Sequence, residues 1–116
     1  MIGLGTNDAA NIAAGAGTDA ATRIERMLIA TQSGPVLSLD ASTTTAGGAW
    51  ALPNLQAWNE LLRAETAASD RVTVAPRDAL AKNQPWFIDD GIHPNAARRA
   101  EHAEFGADQL FAVFPS

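Results

Sequence analysis

Three short apolar runs set the limits on how this chain can fold. They are Ile2-Gly3-Leu4, Val36-Leu37-Ser38-Leu39 and Arg71-Val72-Thr73-Val74-Ala75, and amphipathic segments separate them. The runs lack the in–out alternation of a strand with one wet face, so they read as strands buried on both sides. Strands that alternate with helices predict a parallel sheet with helices packed on it, an α/β fold of three layers, α/β/α. All strand C-termini then emerge on one edge, where sites in open α/β sheets assemble. Asn7, Asp40, Ser42 and Asp78 are expected near that edge, and a later loop holding Asp90 and His93 can reach it. Ser38, inside its strand, is expected to be buried.

Between the strands the periodicity gives three helices. Asp19 is a plausible N-cap for a helix to about Thr31, with Ile24, Met27 and Leu28 on one face. Ser33-Gly34-Pro35 breaks the chain before the second strand. Asn54 can cap a helix to about Ala68, whose stripe is Leu55, Trp58, Leu61 and Leu62. Pro94 or Asn95 opens a final helix to about Ala112. Its inward face is read as Ala96, Ala100, Ala103, Ala107, Leu110 and Phe111, with Arg98, Arg99, Glu101, His102 and Glu104 solvated. Gly5-Thr6-Asn7-Asp8 reads as a loop, Ala9 to Gly17 as a loop or frayed turn, Ala41 to Gly48 as a long loop and Asp78 to Asn83 as a helical turn.

The 116 residues form a single domain, 1–116, with no linker or repeat to divide them. Thirteen acidic residues against eight basic ones leave a net charge of −5, and no basic cluster stands out. Nucleic acid is therefore not an expected partner, nor is an anionic membrane surface. No apolar run has the length of a membrane span, and no signal peptide is seen. The absence of cysteine excludes disulfides, thiolate catalysis and Cys-based zinc sites.

The chemistry concentrates in Trp86-Phe87-Ile88-Asp89-Asp90-Gly91-Ile92-His93-Pro94-Asn95. Asp90 and His93 lie three residues apart across a glycine turn. At that spacing a carboxylate can fold back on the imidazole and fix its tautomer, the role an Asp plays behind a catalytic base. The plainer reading is an Asp capping a turn beside a surface His. Asp89, Asp90 and His93 are a weak metal signature, and no metal or cofactor is assigned. Asp8 and Asp89 read as loop-bracing residues.

Two motifs together carry a resemblance. Gly5-Thr6-Asn7-Asp8 after a strand, with Asp90-Gly91-Ile92-His93-Pro94 near the C-terminus, resembles the SGNH (GDSL-type) hydrolase family, over essentially the whole chain. The resemblance implies a flavodoxin-like SGNH fold and ester hydrolysis through an acyl-enzyme, on small esters that include acetylated carbohydrates or lipids. It makes His93 the base, Asp90 its orienting acid and Asn7 an oxyanion donor. Relatives of this kind are often secreted or held in the cell envelope.

The departures from the family pattern are specific. The family's nucleophilic Ser lies in a Gly-Asp-Ser block after an earlier strand, and a second oxyanion donor also lies upstream; neither is matched here. Ser42 sits in a loose Thr-rich loop and not in a strand-to-helix elbow that would expose a nucleophile. The chain thus resembles the C-terminal part of an N-terminally truncated hydrolase, active only if an N-terminal segment completes it. Opening in mid-strand, it is expected to self-associate in isolation. The alternative is a non-catalytic remnant or interaction module that keeps the fold.

Overall fold

The computed structural model describes every residue except Leu4, Ala16, Ala46, Asn83 and Ser116, with only the backbone of Gly17 and Thr18. The element order is α1 (Thr6–Ala13), α2 (Gly17–Ala30), β1 (Val36–Leu39), α3 (Leu52–Thr66), β2 (Val72–Ala75), α4 (Arg77–Ala81) and α5 (Ala96–Val113). The chain is mixed α/β. β1 and β2 pair in parallel, with Val36 opposite Val72 and Leu39 opposite Ala75.

Of the expected first strand, Ile2 alone pairs, and Leu4 lies outside the described residues. Ile2 makes a single parallel bridge beside Ser38, donating to Leu37 O and accepting from Leu39 N, both at 2.8 Å. β1 therefore runs between Ile2 and β2. Its four residues are all buried, Ser38 included.

Alternation along the strands sends side chains to opposite faces. Leu37, Leu39 and Ala75 form one cluster with Phe105, Leu110 and Val113 of α5. On the other side Val74 packs against Ala9, Ala20, Ile24, Leu55, Trp58 and Leu62, which come from α1, α2 and α3. Of the expected stripes, Ile24 and Leu28 of α2 and Leu55, Trp58, Leu61 and Leu62 of α3 face this core, and Met27 is not part of it. Two polar ties fix the helices to the strands. The Asn59 amide exchanges hydrogen bonds with both backbone groups of Ala41, at 2.7 and 2.8 Å. Arg71, just before β2, donates to Leu28 O, Gly34 O and Thr31 Oγ1 and so satisfies carbonyls at the C-terminal end of α2.

Helix starts and one helix face depart from the sequence reading. Gly5-Thr6-Asn7-Asp8 is not a loop: α1 begins at Thr6, so Asn7 and Asp8 belong to its first turn. α2 is already helical at Gly17, which puts Asp19 inside the first turn and not at the cap. α3 opens at Leu52 with Pro53 in its first turn, where a missing N–H costs nothing. Asn54 instead donates to Gly48 O and Ala49 O. The helical turn expected from Asp78 is α4, which ends at Ala81, and its expected last residue, Asn83, lies outside the described residues.

On α5 the alanine stripe points outward. Ala96, Ala100, Ala103, Ala107 and Phe111 are exposed, while His102, Phe105, Gly106, Gln109, Leu110 and Val113 turn inward. Gly106 is the buried point of close approach, with Met1 Sδ lying 3.4 Å from where a Cβ would stand. Bulky Phe105, Leu110 and Val113 fill the space over the sheet better than alanines would, and volume decides the face. Among the described residues no helix is long and apolar enough to cross a membrane.

Candidate active site

The segment from Trp86 to Asn95 folds back on itself. Ile88 N donates to His93 O and Asn95 N to Trp86 O, each at 2.9 Å, and Phe87 bridges Pro94 in antiparallel fashion. Asn95 then caps α5, its side chain accepting from Arg98 N at 3.0 Å. Inside this fold-back, Asp90 Oδ1 accepts the backbone N–H groups of Ile92 and His93 at 2.8 and 2.9 Å. Its other oxygen, Oδ2, lies 2.6 Å from His93 Nδ1. These hydrogen bonds, led by those from His93, hold the Asp90 carboxyl down to about 2. Nδ1 is thereby assigned as the protonated ring nitrogen, which leaves Nε2 as the acceptor. The imidazole projects outward, with 73% of its side chain exposed.

The turn depends on Gly91, which has φ 70°. A Cβ there would stand 2.5 Å from Thr45 Oγ1. That closeness exposes the role of the threonine-rich loop. Thr43 Oγ1 and Thr44 N both donate to Gly91 O, at 2.8 and 2.9 Å, and Thr45 Oγ1 donates to Asp90 O at 2.9 Å. The three threonines clasp the Asp90–Gly91 turn from the loop after β1. Gly91 and the threonine row are signals visible in the sequence, but their pairing is a tertiary fact.

Asn7 reaches the site from the opposite side. Gly5, with φ 126°, lets the backbone pass over Trp58: a Cβ at Gly5 would fall 2.0 Å from the indole nitrogen. That approach sets the start of α1. Asn7 and His93 then line one cleft of about 400 Å³ together with Thr6, Trp50, Arg77 and Ile92. Asp8 stays out of it and pairs with Arg23 at 2.9 Å, a bracing role.

Other predicted residues lie deeper in the sheet edge. Asp40 is fully buried, pairs with Arg63 and accepts Asp78 N at 2.7 Å. Burial pushes its carboxyl up, partly offset by the Asp78 N–H and the Arg63 charge. Ser42 is buried too, and its hydroxyl donates to Asp78 Oδ1 at 3.2 Å. It lines a different cleft, with Asp78 and Lys82. Among the described residues no serine lines the cleft of Asn7 and His93, and no group of three His, Cys, Asp or Glu stands together as a metal site.

His102 is not the solvated residue its charged neighbours suggest. It turns inward, edge-on to Trp86 with ring centroids 6.1 Å apart, and its Nε2 is buried without a hydrogen-bond partner among the described residues. Burial lowers its pKa, and the Arg77 charge adds to that. Arg77 itself had no place in the sequence reading, because nothing in Ala75-Pro76-Arg77-Asp78 marks a guanidinium as facing a cleft. In comparisons with known protein families, characterised proteins and solved structures, none matches this chain.

Proposed function

We propose that this chain carries the acid–base half of an ester-hydrolase site of the SGNH (GDSL) type, on a three-layer, flavodoxin-like α/β/α scaffold. The observation that carries the reading is the shared cleft: a His held by a carboxylate and an amide from the first turn of α1 line one concave space. His93 Nε2 takes the proton of an attacking hydroxyl and returns it to the leaving alcohol. Asp90 keeps the ring in the tautomer that can do so and stabilises the imidazolium. The Asn7 amide donates to the oxyanion that develops on the ester carbonyl. With no serine in the cleft among the described residues, the attacking hydroxyl is supplied from elsewhere, in the family by the serine of a Gly-Asp-Ser block.

Loss of a nucleophile costs orders of magnitude, so the chain alone should give no burst on short aryl esters. A small external alcohol can stand in for the missing hydroxyl. With methanol present, p-nitrophenyl acetate should be converted to methyl acetate faster by the chain than by buffer, and His93→Ala should abolish the gain. Equal rates for wild type and His93→Ala would refute the assignment. A second reading, a non-catalytic binding module, is favoured by the lack of any described serine in the cleft; it predicts no methanolysis above the rate in buffer.

A further inference from the structure

The cleft of Asn7 and His93 differs in charge from four other clefts of the molecule. The chain carries 13 acidic residues against 8 basic ones. Four other clefts each have a carboxylate in the wall, such as Glu65, Glu104, Asp78 or Asp8. This one has none, and Arg77 forms part of it. The first turn of α1 joins the same wall through Thr6 and Asn7, and it presents the positive end of the helix.

Arg77 is also distinct among the arginines in being half-buried with no paired carboxylate among the described residues, whereas Arg26 and Arg99, which likewise pair with none there, are exposed. Arg23, Arg63 and Arg98 each pair with a carboxylate, and Arg71 is spent on backbone carbonyls and a hydroxyl. Arg77 pairs with no carboxylate among the described residues, and its Nε is buried without a partner there. Asp40 and Asp78 are close enough to favour its charge. Neither forms an ion pair with it: both Asp40 oxygens are taken, by Arg63 and Asp78 N, and one of Asp78's, Oδ1, accepts the Ser42 hydroxyl. Burial lowers the guanidinium pKa from its ordinary value, a cost that a ligand anion would relieve.

We propose that the cleft takes an ester that also bears a carboxylate, with Arg77 as its counter-charge; this rests on the ester reading given above. A guanidinium fork matches a planar carboxylate in two parallel hydrogen bonds. A single guanidinium with Asp78 nearby suits a singly charged group better than a phosphate dianion. The ester carbonyl then lies toward His93 and Asn7, and the carboxylate toward Arg77.

The test compares two ligands that differ by one charge. Isotope-labelled full chain is titrated with monomethyl succinate and with dimethyl succinate, following the Arg77 Nε–H and the His93 ring by NMR. The half-ester should bind about tenfold tighter or more, the gain expected of one charge-assisted hydrogen-bond pair, and should move both residues. Arg77→Gln should erase the difference, and added salt should shrink it. Equal affinity for the two esters, with His93 moving in both, would overturn the charge assignment and leave the ester reading intact. A half-ester that moves Arg77 but never His93 would sink the ester reading as well. Tighter binding of methyl phosphate than of the half-ester would overturn the choice of carboxylate. The wild-type comparison stands even if Arg77→Gln fails to fold.

Discussion

Asp90 works as a clamp because both of its oxygens are occupied, one by two backbone N–H groups and the other by an imidazole nitrogen. The consequence for pH follows from the direction of its shift. An unfolded Asp titrates near ~3.9, whereas the folded Asp90 carboxyl is held down to about 2. Its stabilising effect is therefore fully present above the unfolded value and is lost as pH falls through the folded one. Carboxyl carbon NMR should show an Asp90 midpoint near the lower value, and the stability gap between wild type and Asp90→Asn should close below it. A midpoint near the unfolded value would mean that the clamp does not hold in solution.

At the scale of elements, β1 and β2 and the stripes of α2 and α3 were legible because their signals are local. Val36 to Leu39 is buried throughout and reads so, and Ile24, Leu55, Trp58 and Leu62 recur at helical spacing. Asp90 and His93 were legible for the same reason, since three residues of sequence contain the whole interaction. What failed was decided by partners far away. α1 starts at Thr6 because Gly5 lies over Trp58, more than fifty positions on. The threonine row acquires its role only when Gly91 arrives beneath it. The inner face of α5 goes to Phe105, Leu110 and Val113 because the sheet leaves room for them, and alanine periodicity by itself could not say which side that was. Two substitutions check this face. Phe105→Ala should cost about 2–4 kcal/mol in urea unfolding, while Ala103→Glu on the outer side should stay within about 0.5 kcal/mol. A reversal of that order would put the alanines back inside.

As a whole the molecule is flat and rich in surface. It extends 39 × 36 × 18 Å, with a radius of gyration of 14.2 Å, where a chain of this length ordinarily has about 13 Å. Its accessible surface of 6744 Å² exceeds the roughly 6000 Å² typical of this mass. Met1, Ile29, Ile88 and Phe111 are among the large apolar side chains exposed on it. Among the described residues β2 also has no strand on its outer side, and an open sheet edge favours association. Sedimentation velocity should therefore show a weight-average mass that rises with concentration. A monodisperse monomer with a single cooperative melt would show that the surface is self-sufficient.

The proposed chemistry requires Asn7 and His93 to act on one ligand from two sides of a cleft. An NMR titration of the labelled chain with ethyl acetate measures this without any turnover. The Asn7 side-chain amide and the His93 ring should shift along one saturating curve, with an affinity roughly in the millimolar range, and Asp90→Ala should weaken the response at His93. Shifts confined to one of the two residues, or two curves with different midpoints, would contradict a common site.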